Sequence, residues 1–170
     1  DTLDEYGFSK EDLRADGPIA ASIRAEMAAL IPLPDDLFVV KSTDDGRGLG
    51  LFVGDVPVPS GTYLFDYLGE ILKEDAYETR YAHGRADYAV GIRQSNGTSV
   101  YIDAVTLELS NIARYVNHDG IAPNLQAWTL YEPMPRLMLF ANRDIEVGEE
   151  LVWDYGEAYW ERRQDLILRA

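Results

Sequence analysis

Three short segments of this chain combine side chains and backbone shapes that could do chemistry. Residues 46–50 read Gly-Arg-Gly-Leu-Gly, and glycines let a backbone approach a ligand closely because they lack a β-carbon. Asn117 precedes His118, and their amide and imidazole groups can pair with an adenine edge or a ligand ammonium. Tyr155 stands between an aspartate and a glycine, and its phenol, with a reference pKa of about 10, could act as a general base or an orienting group. Taken singly, each segment is more typical of a turn, a hydrogen-bond network or a packed tyrosine.

Other chemical interpretations of these residues have less support. A dinucleotide-binding turn would need a glycine at position 51 or 53, where the chain has Leu51 and Val53. The chain has no cysteine and two histidines, without a His-x-x-x-His spacing, so we predict no metal site and no disulfide. A hydrolase with a carboxylate pair has only the abundance of acidic residues in its favour.

The composition narrows the classes of partner. The 170 residues are expected to form one domain with a sizeable core, since 46% of them are hydrophobic. The chain has 30 acidic and 15 basic residues, for a net charge of −15, and would repel the phosphates of a nucleic acid. A basic protein partner, such as a lysine- and arginine-rich tail, suits this charge, and general solubility is the alternative explanation. No run of 18 apolar residues predicts a membrane span, and no secretory leader is visible.

Hydrophobic periodicity divides the chain into three parts that must position these segments. Residues 1–36 are predicted to be an N-terminal helical extension, because apolar residues recur there at helical spacing and could brace the main domain. Residues 37–156 form the main domain, and residues 157–170 are predicted to be a helical tail. Strands are predicted for short runs rich in Val, Ile, Tyr and Phe, namely 37–41, 49–53, 62–68, 88–92 and 99–102, and residues 136–141 are predicted to form another strand. The expected fold class is α+β, with many short strands and helices at the ends.

Local signals add detail to the main domain. Asn96-Gly97 predicts a hairpin between two of the strands. Helices are predicted for residues 73–85 and 108–116. Asp103, in the run Tyr-Ile-Asp-Ala, is predicted to be a buried aspartate satisfied by hydrogen bonds.

The order and spacing of the motifs resemble the SET-domain family of protein lysine methyltransferases. The resemblance covers roughly residues 37–160, and its specificity comes from the sequence of motifs, since each motif is weak alone. The motifs are Gly46-Arg-Gly-Leu-Gly50, Tyr67-Leu-Gly-Glu70, Ile102-Asp-Ala104, Arg114-Tyr-Val-Asn-His118 with Pro123-Asn124, Phe140-Ala-Asn-Arg-Asp-Ile-Glu-Val-Gly-Glu-Glu-Leu151, and Asp154-Tyr-Gly156.

This resemblance implies a fold, an activity and a set of site residues. The fold would be a set of small sheets whose C-terminal segment threads through a loop near Asn117-His118 as a pseudoknot. The activity would be transfer of methyl groups from S-adenosylmethionine to a protein lysine, with histone tails as the expected substrate and two or three methyl groups added. Tyr155 would be catalytic and would line the lysine channel with Tyr67 and Trp153. The residues implied to bind the cofactor are Arg47, Gly48, Leu49, Gly50, Tyr88, Arg114, Asn117, His118 and Trp160.

The chain departs from the family pattern in three places. The usual Asn-His-Ser-Cys reads Asn-His-Asp-Gly at residues 117–120, and Asp-Gly is typical of a turn. A cysteine-rich zinc segment after the domain is impossible, so the tail from residue 157 or the substrate itself would have to close the site. In that tail, Tyr159 or Trp160 could stack on the adenine. Trp153 stands where the family usually has phenylalanine or tyrosine.

A second hypothesis is a SET-like module that has lost catalysis and holds a basic partner through its acidic surface. The retained Asn117, His118 and Tyr155 argue against it. On the leading hypothesis we expect a nuclear protein if the source is eukaryotic and an intracellular one otherwise, compatible with membership of a larger complex.

Overall fold

A computed structural model describes residues 2–3, 8–9, 18–94, 96–131 and 133–156 of the chain. The helices and strands, in chain order, are β1 Thr2–Leu3, β2 Phe8–Ser9, α1 Pro18–Ala28, β3 Phe38–Ser42, β4 Leu49–Val53, β5 Tyr63–Asp66, β6 Glu70–Lys73, α2 Glu74–Arg80, β7 Ala89–Arg93, β8 Ser99–Asp103, β9 Asn117–His118, β10 Leu125–Leu130, β11 Arg136–Ala141 and β12 Val152–Trp153. Short 3₁₀ helices cover Asp35–Leu37, Leu107–Leu109 and Ile112–Tyr115. The predicted α+β class of short strands in small sheets is confirmed.

The C-terminal segment lies inside a loop of the five-stranded sheet. The strand order is β5-β11-β10-β12-β9, and β12 runs parallel to both of its neighbours. Since β9 and β10 are consecutive in the chain, β12 enters between two strands that residues 119–124 connect. Asn124 holds it there, donating to the Glu150 carbonyl at 2.7 Å and accepting from the Val152 amide at 2.9 Å. The C-terminal segment is thus enclosed as the predicted threading requires.

Two smaller sheets carry the remaining motifs. β3 pairs with β4, and the glycine-rich run forms the turn between them, closed by a 2.8 Å bond from the Thr43 amide to the Gly48 carbonyl. Gly46 and Gly48 have φ angles of 78° and 94°, which favour glycine. The other sheet has the order β6-β8-β7, and the β7–β8 turn contains Gly97 with a φ of 84°. The predicted hairpin at Asn96-Gly97 is confirmed.

Strands β10 and β11 are buried on both faces, because alternate residues contribute to two different cores. On one face Trp128 and Phe140 pack against α1 through Met27, which is 2% exposed. On the other face Leu125 and Leu139 belong to the main core. Helix α1 therefore packs on this sheet, and its role as a brace for the main domain stays a prediction.

Asp103 is confirmed as a buried, satisfied aspartate. Its carboxylate is fully buried and accepts hydrogen bonds from Arg80 at 3.0 Å, from the Tyr81 hydroxyl at 2.6 Å and from the Val105 amide at 3.1 Å. The arrangement joins α2 to the end of β8.

Several predicted elements have different bounds. Helix α1 ends at Ala28, before two prolines, and Ile31 beyond it is 85% exposed. The extension also contains the β1–β2 pair, which a purely helical extension did not predict. The predicted helix 108–116 is two 3₁₀ turns, because Ser110 and Asn111 between them are extended.

Six strands were not predicted, namely β1, β2, β6, β9, β10 and β12. The predicted helical tail, 157–170, lies outside the described residues, and the boundaries 1–36 and 37–156 stay predictions. No helix among the described residues is long and apolar enough to cross a membrane.

Candidate functional site

The glycine-rich turn is tied to the threaded segment through Arg47. The Arg47 guanidinium donates to Glu150 Oε2 at 2.7 Å and to the His118 carbonyl at 3.4 Å. It also pairs with Asp45 in its own turn. Residues far apart in sequence therefore fix the turn against β9.

Asn117 lies on β9 with its side chain directed at the same turn. Its Nδ2 donates to the Leu49 carbonyl at 3.1 Å and to Glu150 Oε1 at 2.8 Å. Within the described part of the chain, nothing donates to Asn117 Oδ1.

His118 is held in its neutral form. Its Nδ1 accepts the Tyr155 amide hydrogen at 3.0 Å, which requires Nδ1 to be unprotonated and assigns the ring proton to Nε2. Burial lowers the pKa of His118, and the opposing charges of Asp154 and Asp119 do not restore it. The imidazole is therefore neutral at physiological pH.

An aromatic cluster adjoins this pair. The rings of Tyr67 and Trp153 have centroids 6.3 Å apart, those of Trp153 and Tyr155 5.3 Å, and those of His118 and Tyr155 5.1 Å. The Tyr155 hydroxyl donates to the Val116 carbonyl at 2.7 Å. Trp153 is 3% exposed, and its indole N–H has no hydrogen-bond partner among the described residues. The cluster joins residues on β12 to the end of β5.

The predicted cofactor residues Tyr88 and Arg114 contact each other. The Arg114 guanidinium lies 4.3 Å from the centroid of the Tyr88 ring. Its Nε donates to the Ala104 carbonyl at 3.0 Å. The Tyr88 carbonyl accepts the Tyr67 hydroxyl at 2.8 Å, which links this pair to the aromatic cluster.

The structure brings together most of the predicted site. The glycine-rich turn contacts Asn117 and His118. The His118 ring contacts Tyr155, and the rings of Tyr155, Trp153 and Tyr67 follow one another in the aromatic cluster. Trp160 lies outside the described residues, so its role stays a prediction. The sequence analysis quoted Glu150 within a motif but assigned it no role, although its carboxylate joins Arg47 to Asn117. The only signal in the sequence was the alternation of side chains along the segment that leads into β12. Without knowing where Arg47 and Asn117 lie, this alternation could not show which of Glu149 and Glu150 contacts them.

The fold and this cluster define a class of protein: a small-sheet α+β domain whose threaded C-terminal strand joins an aromatic cluster to a glycine turn. A sequence profile described as the SET domain matches residues 48–156, more than half of the chain. The chain belongs to the SET-domain family.

Named relatives agree with this membership. The histone-lysine N-methyltransferase SUV39H1-A of Danio rerio is 34% identical over 128 residues, which cover 71% of this chain and 30% of the relative. The methyltransferase domain of human SETMAR is 30% identical with a TM-score of 0.62, covering 72% of this chain and 45% of that one. SUVH6 of Arabidopsis thaliana, solved in complex with S-adenosylmethionine, is 28% identical with a TM-score of 0.59, covering 70% of this chain and 27% of that one. This chain therefore spans less than half the length of each.

Proposed function

We propose that this chain is an S-adenosylmethionine-dependent protein-lysine N-methyltransferase. The observation that carries the proposal is the contiguity of the aromatic cluster Tyr67, Trp153 and Tyr155 with the polar pair Asn117-His118. One part suits a lysine side chain, and the other suits the amino-acid and adenine ends of the cofactor. The names of the relatives support the same activity.

The residues at the glycine turn fit the cofactor. A β-carbon on Gly46 or Gly48 would meet no atom of the described residues within 4 Å, so none of these residues covers the backbone there. Asn117 offers an unused acceptor within the described chain, and neutral His118 suits an uncharged heterocycle. We assign cofactor binding to the following residues, as proposals: Arg47, Gly48, Leu49, Gly50, Tyr88, Arg114, Asn117 and His118. S-adenosylmethionine supplies the methyl group when bound.

The aromatic cluster suits the deprotonation of a lysine. At a reference pKa of about 10.4, a lysine must lose its proton at a cost of about 4.6 kcal/mol at pH 7 before its nitrogen can accept a methyl group. Burial among Tyr67 and Trp153 disfavours the ammonium and reduces that cost. A phenol oxygen that donates its hydrogen, as Tyr155 does to Val116, can still accept one from the lysine nitrogen and orient it.

Histone tails are the substrate class that we propose. The net charge of −15 attracts lysine- and arginine-rich segments and repels nucleic acid. The relative from Danio rerio is named as a histone-lysine methyltransferase. This substrate class implies a chromatin-associated, nuclear protein in a eukaryote.

We predict that two or three methyl groups are added. Trp153 has no hydroxyl to hold the lysine nitrogen or a water, and its ring is tilted at 42° to the Tyr67 ring and at 59° to the Tyr155 ring. Trp153→Tyr should shift the product toward monomethyl-lysine, which mass spectrometry of the product peptides would measure. If the parent yields only monomethyl-lysine with excess cofactor, the indole crowds the channel and this prediction is wrong.

The experiment that tests the function uses labelled S-adenosylmethionine and core histones. Mass spectrometry should find methylated lysines, and their position identifies the target. A calorimetric titration with the cofactor then helps to distinguish an active enzyme from an inactive binding module. A protein that binds the cofactor or the histones but leaves every lysine unmodified would be the inactive binding module.

A further inference from the structure

We propose that Glu150 is a positioning residue that turns the Asn117 amide so that its carbonyl oxygen faces the ammonium of an amino-acid-type cofactor. This inference rests on the proposed function and deepens it. It assigns the residue that determines which cofactor group Asn117 can recognise.

The Glu150 carboxylate is enclosed by the predicted cofactor residues. Its side chain is 17% exposed, and its two oxygens accept separate hydrogen bonds from Arg47 at 2.7 Å and from Asn117 at 2.8 Å. A β-carbon on Gly50 would lie 2.7 Å from Glu150 Oε1, so any other residue at position 50 would require this carboxylate to shift. The carboxylate thus connects the glycine turn to β9.

The groups that contact the Asn117 side chain permit only one orientation of its amide. Both groups beside the amide nitrogen, the Leu49 carbonyl and the Glu150 carboxylate, can only accept hydrogen bonds. The NH₂ end must therefore face them, because the reverse orientation would place oxygen against oxygen. The Asn117 oxygen is left as the ligand-facing end, and an oxygen acceptor selects a donor such as an ammonium.

Glu150 itself is not suited to bind that ammonium. Arg47, which also pairs with Asp45, donates to one of its oxygens at 2.7 Å, and Asn117 donates to the other. Its effect on the cofactor therefore passes through Asn117.

A glutamine at position 150 tests the idea, because it has one acceptor end instead of two. It can satisfy Arg47 or Asn117 but not both, and its own NH₂ group can face the Asn117 amide and allow it to rotate. The ligands are S-adenosylhomocysteine and its analogue without the α-amino group, each titrated by calorimetry. We expect the parent to prefer the amine-bearing ligand by about tenfold or more, and Glu150→Gln to lose most of that preference.

Glu149 provides a matched control on the adjacent residue. Its carboxylate pairs with Arg143 at 2.9 Å and with the Glu146 amide, away from Asn117. Glu149→Gln should keep the full preference for the amine-bearing ligand. Asn117→Ala should lose the preference and tests the same contact without altering Glu150.

The outcomes are distinct. If Glu150→Gln binds both ligands more weakly by the same factor, or keeps the preference, Glu150 has only a structural role and the inference is wrong. The side-chain amide resonances of Asn117 in the unliganded protein give an independent reading and should shift in Glu150→Gln but not in Glu149→Gln. A parent that binds neither ligand would overturn the proposed function, and the amide resonances would still test the orientation of Asn117.

Discussion

The Tyr155 hydroxyl is the part of the aromatic cluster that a single substitution can remove cleanly. Phenylalanine would keep the hydrogen bond from the backbone N–H of residue 155 to His118 and would keep an aromatic ring, but it would lose the hydroxyl's hydrogen bond to Val116 and any contact of the hydroxyl with the substrate. We expect Tyr155→Phe to lower turnover by about tenfold or more with cofactor affinity unchanged, since an orienting group acts on the chemical step. Single-turnover rates at saturating cofactor measure this. A variant as fast as the parent would make Tyr155 a packing residue.

The neutral state of His118 predicts a dependence of stability on pH. Burial lowers the pKa of His118 below 6.5, so the unfolded chain binds the proton more tightly than the folded one. The stabilisation is present above the unfolded pKa and is lost as the pH falls through the folded pKa. Urea midpoints should therefore decrease from about pH 8 to about pH 5 in the parent.

The two histidines of the chain allow a control for this effect. His118→Gln should show a smaller pH dependence than the parent, and exposed His83→Gln should show the same dependence as the parent. The reverse result would contradict the assignment. The carboxylates of Asp45 and Asp119, whose pKa values are also lowered, lose their contributions at more acidic pH.

Residue types that could take part in chemistry were recognisable from the sequence, but the groups to which they form hydrogen bonds and ion pairs were not. Asn117 and Tyr155 stood out because amides and phenols in spaced motifs suit ligands. The bond between Arg47 and Glu150 joins residues 103 positions apart, and only the folded chain brings them together.

Helix α1 can be tested as an element, because one residue carries much of its packing. Met27 lies in a buried cluster with Trp128 and Phe140 on the sheet face away from the main core. Met27→Ala should reduce the free energy of unfolding by about 2–5 kcal/mol, through lost burial and the cavity left behind. Urea denaturation measures the loss, and Glu26→Ala, at an exposed neighbouring position, should change the unfolding free energy little. An equal loss in both variants would mean that the helix does not brace the sheet through Met27.

Elements with strong local patterns were predictable, and elements that depend on pairing were not. Strands β4 and β11 have the predicted bounds, because each is a short, mostly apolar run. Strands β9 and β12 have two residues each, and they are strands because β12 lies between β9 and β10 and pairs with both. Propensity carries no signal for such pairs.

The predicted helix over 108–116 failed for a tertiary reason. Asn111 is extended, and its side chain bonds to the Asp66 carbonyl at 2.8 Å and the Leu68 amide at 3.3 Å. These long-range bonds divide the helix into two short turns. The contacts that Asn111 makes at and just after the end of β5 therefore override the local propensity of this segment for a helix.

At the scale of the whole molecule, the excess of acidic over basic residues leaves a surface field suited to a basic peptide. Within the described site, by contrast, the charges of Arg47 and Glu150 are paired with each other. The proposed basic substrate would meet this negative field, and Arg47 in the site lies between two carboxylates, those of Asp45 and Glu150.

Methyl transfer to a lysine by this chain tests the account most directly. The protein would be incubated with labelled S-adenosylmethionine and a basic, lysine-containing histone peptide, with and without a metal chelator. The account predicts label on the lysine nitrogen at the same rate in both samples, because aromatic and amide groups carry the chemistry and the chain has no cysteine. Cofactor binding without any labelled lysine, or a rate that the chelator abolishes and zinc restores, would contradict it.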